Sequence, residues 1–297
     1  MRRKFLCGLA ATLWARWLSA QPVPARELWE FPLGAVLEPA ALASEPGGGF
    51  WNPATSALAP GERWRFGVAS LSTGADQSVD GQLLTISYRR HTGTTWGLAV
   101  ARAGIPGILR TDTDPQGLGD VAYNTLLVSA TAAREIIPHL TGGFSVRWRE
   151  GRVDRDVRTA IAADLGIVVH DLPWRNARVA VSSFLWRPSR EIDDRPAILA
   201  AADARVLGHD RRELRLGYSF NGVNRGAQEH GAFLGMRLDV LEARAAYLQT
   251  TSAGQSVSRL RSGVALHLTR YVVGVAREEG VAGLGPLYQF TLSSVLR

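Results

Sequence analysis

Apolar residues recur at every second position along roughly a dozen short segments between residues 63 and 297. This period of two is the mark of a β-strand with one apolar and one polar face, because successive side chains point to opposite sides. The clearest example is segment 212–220. Its alternating faces are Leu214, Leu216, Tyr218 and Phe220 on one side and Glu213, Arg215, Gly217 and Ser219 on the other.

The pattern predicts about fourteen strands, close to ten residues apart and separated by turn-rich joints. The predicted strands are 64–70, 83–90, 95–102, 120–131, 139–148, 159–170, 176–186, 197–206, 212–220, 231–239, 241–249, 258–268, 271–277 and 287–296. Asp239 and Val240 leave almost no joint, so the two strands beside them could also be one bent strand. The longer joints are 103–119, 187–196 and 221–230.

These strands together predict an all-β protein, a transmembrane antiparallel β-barrel that is apolar outside and polar inside. In such barrels the long loops face outward and the tight turns face the periplasm. Mean hydropathy is −0.03, which alternation produces because each apolar residue has a polar neighbour. We therefore expect the protein in the outer membrane of the cell, with lipid as one partner.

The N-terminus has the organisation of a secretion signal over residues 1–20. Arg2, Arg3 and Lys4 precede a mostly apolar stretch, and Ala20 ends a small-residue cleavage sequence. Cleavage there removes four basic residues and no acid, so the net charge falls from +7 to +3. The remaining arginines form no basic stripe, which argues against a nucleic-acid partner. The only cysteine, Cys7, leaves with the signal, as suits an exported protein without disulfides.

Residues 21–62 differ from the strand region that occupies 63–297. Segment 35–44 predicts a short helix interrupted by Pro39. Three glycines then permit a sharp turn, and an Asn-Pro pair favours a turn that starts the next helical segment with proline at its first position. The residues of this motif are Gly47, Gly48, Gly49, Phe50, Trp51, Asn52, Pro53 and Ala54.

A barrel of about fourteen strands that follows this motif resembles the long-chain fatty acid transporter (FadL) superfamily, and within it the shorter PorV/PorQ branch. The resemblance implies that the Asn-Pro-Ala element belongs to an N-terminal hatch folded into the lumen. It also implies passage of hydrophobic compounds, or carriage of exported proteins in type IX secretion. We expect residues 35–59 to lie inside the barrel with Phe50 and Trp51 against its wall.

Alternation assigns a set of charged residues to the lumen. They are Arg89, Arg102, Arg147, Asp164, Glu213, Arg215, Arg237, Asp239, Glu242, Arg244, Arg261 and His267. Acids and arginines mixed in this way can pair across a lumen or hold a plug. Gly97, Ala99 and Ala101 are small inward positions that would leave room for a hatch.

No catalytic residue, cofactor or metal site is predicted. The six histidines show no zinc-binding spacing, and no serine lies in a GxSxG sequence. Three hypotheses stay open: a hatch-gated barrel for hydrophobic compounds, a non-transporting barrel that docks in a secretion or envelope assembly, and a soluble secreted β-protein whose apolar faces pack on a second sheet.

Overall fold

The computed structural model describes residues 22–45, 49–58, 64–74, 78–110, 119–187, 195–209, 212–222, 226–280 and 285–296. The predicted signal, Gly47 and Gly48 lie outside these residues. Among the described residues, no helix is both long and apolar enough to cross a membrane.

The described residues form fourteen antiparallel strands in one closed barrel, which confirms the predicted fold. Each strand pairs with its neighbours in sequence, and β14 closes the barrel on β1. The strands are β1 (Trp64–Thr73), β2 (Asp80–Arg89), β3 (Thr95–Ile105), β4 (Tyr123–Ile137), β5 (Leu140–Val153), β6 (Asp156–Leu172), β7 (Ala177–Phe184), β8 (Ala197–His209), β9 (Arg212–Gly222), β10 (Gln228–Leu238), β11 (Leu241–Ser252), β12 (Gln255–His267), β13 (Tyr271–Glu278) and β14 (Leu287–Leu296).

The two ends of the barrel differ in their joints. The three longest predicted joints follow β3, β7 and β9, so they lie at one end, which we call the far end. The other end, where β1 begins, is the near end. Asp239 and Val240 form a two-residue turn there, so β10 and β11 are separate strands.

Burial alternates along the strands as the period of two requires. In β1 every second residue is exposed, and in β3 Trp96, Leu98 and Val100 lie outside while Ala99 and Ala101 are buried. Large apolar residues stand exposed on strands all around the barrel, which gives the wall a largely apolar outer face. The inner face carries small and polar residues together with apolar ones such as Leu71 and Leu127.

Two short 3₁₀ helices precede the barrel strands: η1 (Arg26–Glu30) and η2 (Pro53–Ala57). η2 starts with proline directly after Asn52, as the Asn-Pro pair predicted. The helix predicted over 35–44 is wrong, because that stretch forms turns. Leu42 and Ala43 donate their backbone N–H groups to the Pro39 carbonyl, so the chain makes a single turn after the proline.

Candidate functional site

The described residues of the N-terminal segment, 22–45 and 49–58, lie inside the barrel, and most of them are buried. At the far end, Arg149 of β5 donates to the Val23 carbonyl at 3.1 Å, and Trp29 Nε1 donates to Thr125 Oγ1 at 3.2 Å. Toward the near end, Arg89 of β2 donates to the Ala57 carbonyl at 3.0 Å. The segment therefore occupies the lumen from one end to the other.

Asn52 is the turning point of the segment and is fully buried. Its Oδ1 accepts from the Ala54 N–H at 3.0 Å, and its Nδ2 donates to the Ala41 carbonyl at 2.8 Å. An aspartate could cap η2 in the same way but could not donate to Ala41. The amide thus joins two stretches of the segment, and burial away from water makes both bonds costly to lose.

Glycines of the wall let the segment approach closely at this point. A Cβ on Gly166 would lie 2.0 Å from Asn52 Oδ1, and a Cβ on Gly143 would lie 2.4 Å from the Pro53 carbonyl carbon. Real side chains do not tolerate such distances. The segment can therefore approach the wall this closely only because β5 and β6 have glycine at these positions.

Four aromatic rings fill the middle of the lumen. Trp51 lies 4.5 Å from Phe184 of β7 between ring centroids, and Phe50 meets Trp51 edge-on at 5.3 Å. Trp29 lies 6.1 Å from Phe50. Trp51 Nε1 donates to the Leu33 carbonyl at 2.8 Å, so its polar edge is satisfied inside the protein. Edge-on and tilted ring pairs of this kind add to the stabilisation from burial.

Arg147 of β5 links this aromatic cluster to the wall. Its guanidinium pairs with Asp164 of β6, donates to the Phe50 carbonyl and lies 4.7 Å from the centre of the Phe184 ring. Asp164 also accepts from the Trp186 N–H at 3.1 Å. A buried guanidinium is tolerated because a carboxylate, a carbonyl and a ring face all meet it.

The near end of the lumen holds a charged cavity of about 320 Å³. On its wall Asp203 accepts from Arg178 at 2.5 Å and from Arg215 at 2.7 Å. Glu38 of the N-terminal segment reaches Arg244 at 2.9 Å, which joins the segment to the same network. A pocket beside Trp29, Trp51 and Phe184 is much smaller, about 50 Å³.

Most of the charged residues assigned to the lumen by alternation face it. Arg147 and Asp164 are fully buried, Arg215 and Arg261 are buried, and His267 Nε2 lies 2.7 Å from Glu242 Oε2. The others on the inner side of the wall are Arg89, Glu213, Arg237 and Arg244. The motif residues Gly49 to Ala54 also lie within the barrel.

Two of the assigned residues lie elsewhere. Arg102 is exposed on the outer face, because it shares its parity with Val100 and Leu98, three residues before β3 ends. Asp239 lies in the turn between β10 and β11, where it pairs with the exposed Arg212 at 2.9 Å. Arg102 faces outward because the even-numbered residues of β3 are the exposed ones. Asp239 lies outside the wall because β10 ends at Leu238.

Sequence reasoning missed several ionic partners. Asp203 lies in an alanine-rich strand whose small residues give little contrast between the two faces. Arg178 and Arg259 lie near strand ends, where alternation fades. Glu38 belongs to the N-terminal segment, for which the period of two gives no information.

Comparison with known proteins identifies the fold. No family model matches the chain, and no curated protein sequence matches it. Similar solved structures include the "CymD monoaromatic hydrocarbon channel", with a TM-score of 0.64, 11% identity and coverage of 86% of this chain and 94% of that one. The toluene transporter TbuX of Ralstonia pickettii has a TM-score of 0.62 and 11% identity, covering 94% and 100%.

A deletion mutant of TodX, also described as a monoaromatic hydrocarbon channel, matches with a TM-score of 0.56 and 10% identity over 84% of this chain and 94% of that one. The chain therefore shares the fold of hydrocarbon channels and transporters. At these identities the likeness concerns the fold alone.

Proposed function

We propose that this protein is an outer-membrane barrel of the FadL type that passes hydrophobic compounds through a lumen gated by its N-terminal segment. The observation behind this proposal is that the N-terminal segment occupies the lumen along its length. It is held there by packing and by hydrogen bonds from the wall, and its only covalent link to the barrel is the chain that continues into β1. A plug of this kind can move, which a gate requires. We also propose that the protein belongs to the PorV/PorQ branch of the FadL superfamily.

The outer face of the barrel supports a place in the membrane. Large apolar residues such as Leu84, Leu98, Leu216 and Tyr288 stand exposed on it. Apolar area in contact with water costs about 25 cal/mol per Å², so a complete ring of such residues favours lipid as its surroundings. Because long joints face outward in such barrels, we infer that the far end lies outside the cell and the near end in the periplasm. The signal over residues 1–20 remains a prediction.

The interior suits a gate that separates two chemical environments. Aromatic rings of the segment and of Phe184 occupy the middle of the lumen, while charged residues line the near end. Displacement of Trp51 and Phe50 would expose an apolar surface on which a hydrophobic compound could pass. CymD and TbuX, which share the fold, are described as a monoaromatic hydrocarbon channel and a toluene transporter, and a small hydrophobic cargo here agrees with them.

A second candidate function is a non-transporting barrel that docks in a type IX secretion or other envelope assembly. The ion pairs of Glu38 favour it, because this residue of the N-terminal segment reaches Arg244 and Arg178 and so ties the segment to the wall. In that case the plug would be a permanent filling. The two functions differ in whether the segment moves.

Flux measurements on proteoliposomes separate the two functions. The purified barrel should accelerate entry of toluene into vesicles that contain a trapped toluene-sensitive reporter, and it should do little for a sugar of similar size. Equal rates with and without the barrel, for a correctly folded preparation, would contradict transport and leave the docking function. Fractionation of cells that produce the protein tests its place: recovery of the mature chain in the soluble periplasm would contradict the membrane assignment.

A further inference from the structure

Two histidines and an aspartate meet at the near end of the wall. His139 lies in the turn between β4 and β5, and His170 lies opposite it near the end of β6, with its N–H donating to the His139 carbonyl at 2.9 Å. Asp171 is the next residue of β6. Each of the three side chains has one atom able to bind a metal ion, and these three atoms lie within 4.8 Å of one another.

The backbone is shaped so that these side chains converge. His139 has a φ of 70° and Asp171 a φ of 52°, a region in which ordinary residues are uncommon. Asp171 also lies where the pairing of β6 with β7 shifts register, between Val169 and Leu172. Irregularities of this kind turn a side chain away from the face that strict alternation would give it. Without the shift, Asp171 would continue the outward face of Ile167 and Val169.

We propose that His139, His170 and Asp171 bind a zinc ion. His170 Nδ1 and Asp171 Oδ2 already lie 2.8 Å apart, and the rings of His139 and His170 are 6.1 Å apart at their centres. Ligand bonds of about 2 Å in a tetrahedron place neighbouring ligand atoms about 3.3 Å apart, so rotation of the exposed His139 ring completes the geometry. Imidazole nitrogens favour zinc over magnesium or calcium, which prefer oxygen ligands alone.

The site would have an open fourth position toward the mouth of the barrel. Three protein ligands leave one place for water or another ligand on zinc, and Asp171 also lines the charged cavity of the near end. The ion would tie the turn after β4 to the end of β6. This part of the wall continues into Gly143 and Gly166, which η2 and Asn52 contact.

The histidine spacing did not predict this site, because 30 residues separate His139 from His170 in the chain. Only the pairing of β5 with β6 brings them together, one position beyond Leu140 and Val169. His170 Nε2 also lies 3.3 Å from Thr141 Oγ1, so each ring nitrogen of His170 has a polar neighbour.

Zinc binding by the folded barrel in detergent tests the proposal. After removal of metal, isothermal titration with zinc chloride should show one ion per barrel. His139→Asn, His170→Gln and Asp171→Asn should each weaken binding at least about 10-fold. Asparagine tolerates a positive φ, so the first and third variants keep the backbone. His91→Asn, in the exposed turn after β2, is the matched control and should bind as the parent does.

A second measurement uses the parent protein alone. Cobalt in place of zinc should give the visible absorption bands of a four-coordinate site, and zinc should raise the thermal transition of the parent and of His91→Asn but not of His170→Gln. Absence of binding by the parent would overturn the proposal. Binding that is unchanged in all three ligand variants would overturn it equally.

Discussion

Arg147 and Asp164 form an ion pair inside the barrel in which both side chains are 0% exposed. The pair joins β5 to β6, and the guanidinium extends it to the Phe50 carbonyl of the N-terminal segment. Arg147 therefore connects the wall to the plug, as Arg149 and Arg89 also do. Removal of either charge leaves the other buried without its partner, which is far more costly than removal of both.

We expect Asp164→Ala to lower the free energy of unfolding by about 3–5 kcal/mol, because it strands the Arg147 guanidinium. The double variant Arg147→Met with Asp164→Leu should lose much less of the free energy of unfolding, because it leaves no buried charge without a partner. Urea unfolding of the barrel in detergent measures both. Arg212→Ala serves as the control, because Arg212 and its partner Asp239 are both exposed. This variant should change the free energy of unfolding by at most about 1 kcal/mol. A loss for Asp164→Ala as small as that of the control would contradict the role of the pair.

Gly166→Ala should loosen the N-terminal segment while the barrel stays intact. The added Cβ would meet Asn52 Oδ1 at 2.0 Å, and overpacking of this kind costs about 1–3 kcal/mol. Limited proteolysis should cleave the segment faster in this variant than in the parent. Gly97→Ala is the matched control in the same wall, because its Cβ would find its nearest neighbour at 3.6 Å. Equal protection in both variants would mean that the segment does not depend on this contact.

Leu216→Arg should destabilise the membrane-inserted barrel by about 2–4 kcal/mol, because the residue stands on the outer face near the middle of β9. Gln249→Arg, on the outer face near the end of β11, should cost no more than about 1 kcal/mol, since it lies near the interface. Urea titration of folding into phospholipid vesicles compares the two. Equal tolerance at both positions would show that the outer face does not contact hydrocarbon.

Strand number and placement could be predicted from the sequence because strong apolar alternation survives in most strands. β14, for example, runs over the predicted range 287–296. The same rule corrects Arg102, whose even position in β3 puts it on the side of Val100. Alternation gives no information where residues are small, as around Asp203, or where the chain is not a strand.

The interior of the lumen could be predicted only in part, because contacts between distant residues create it. The helix expected over 35–44 is replaced by turns in a segment that packs against the wall, where Gly263 of β12 and Gly274 of β13 leave room for Leu37. The association of His139 with His170 likewise arises from strand pairing. Such sites depend on register, and one sequence does not reveal register directly.

Deletion of the N-terminal segment shows whether that segment gates the lumen. Because residues 22–34 also lie within the barrel, the deletion covers 22–58 and leaves the strands and the pair of Arg147 with Asp164 in place. We expect the shortened protein to fold into heat-modifiable barrels and to raise the rate of liposome swelling in small sugars well above that of the full-length barrel. Unchanged swelling with an intact barrel would show that the segment does not close the lumen and is no gate.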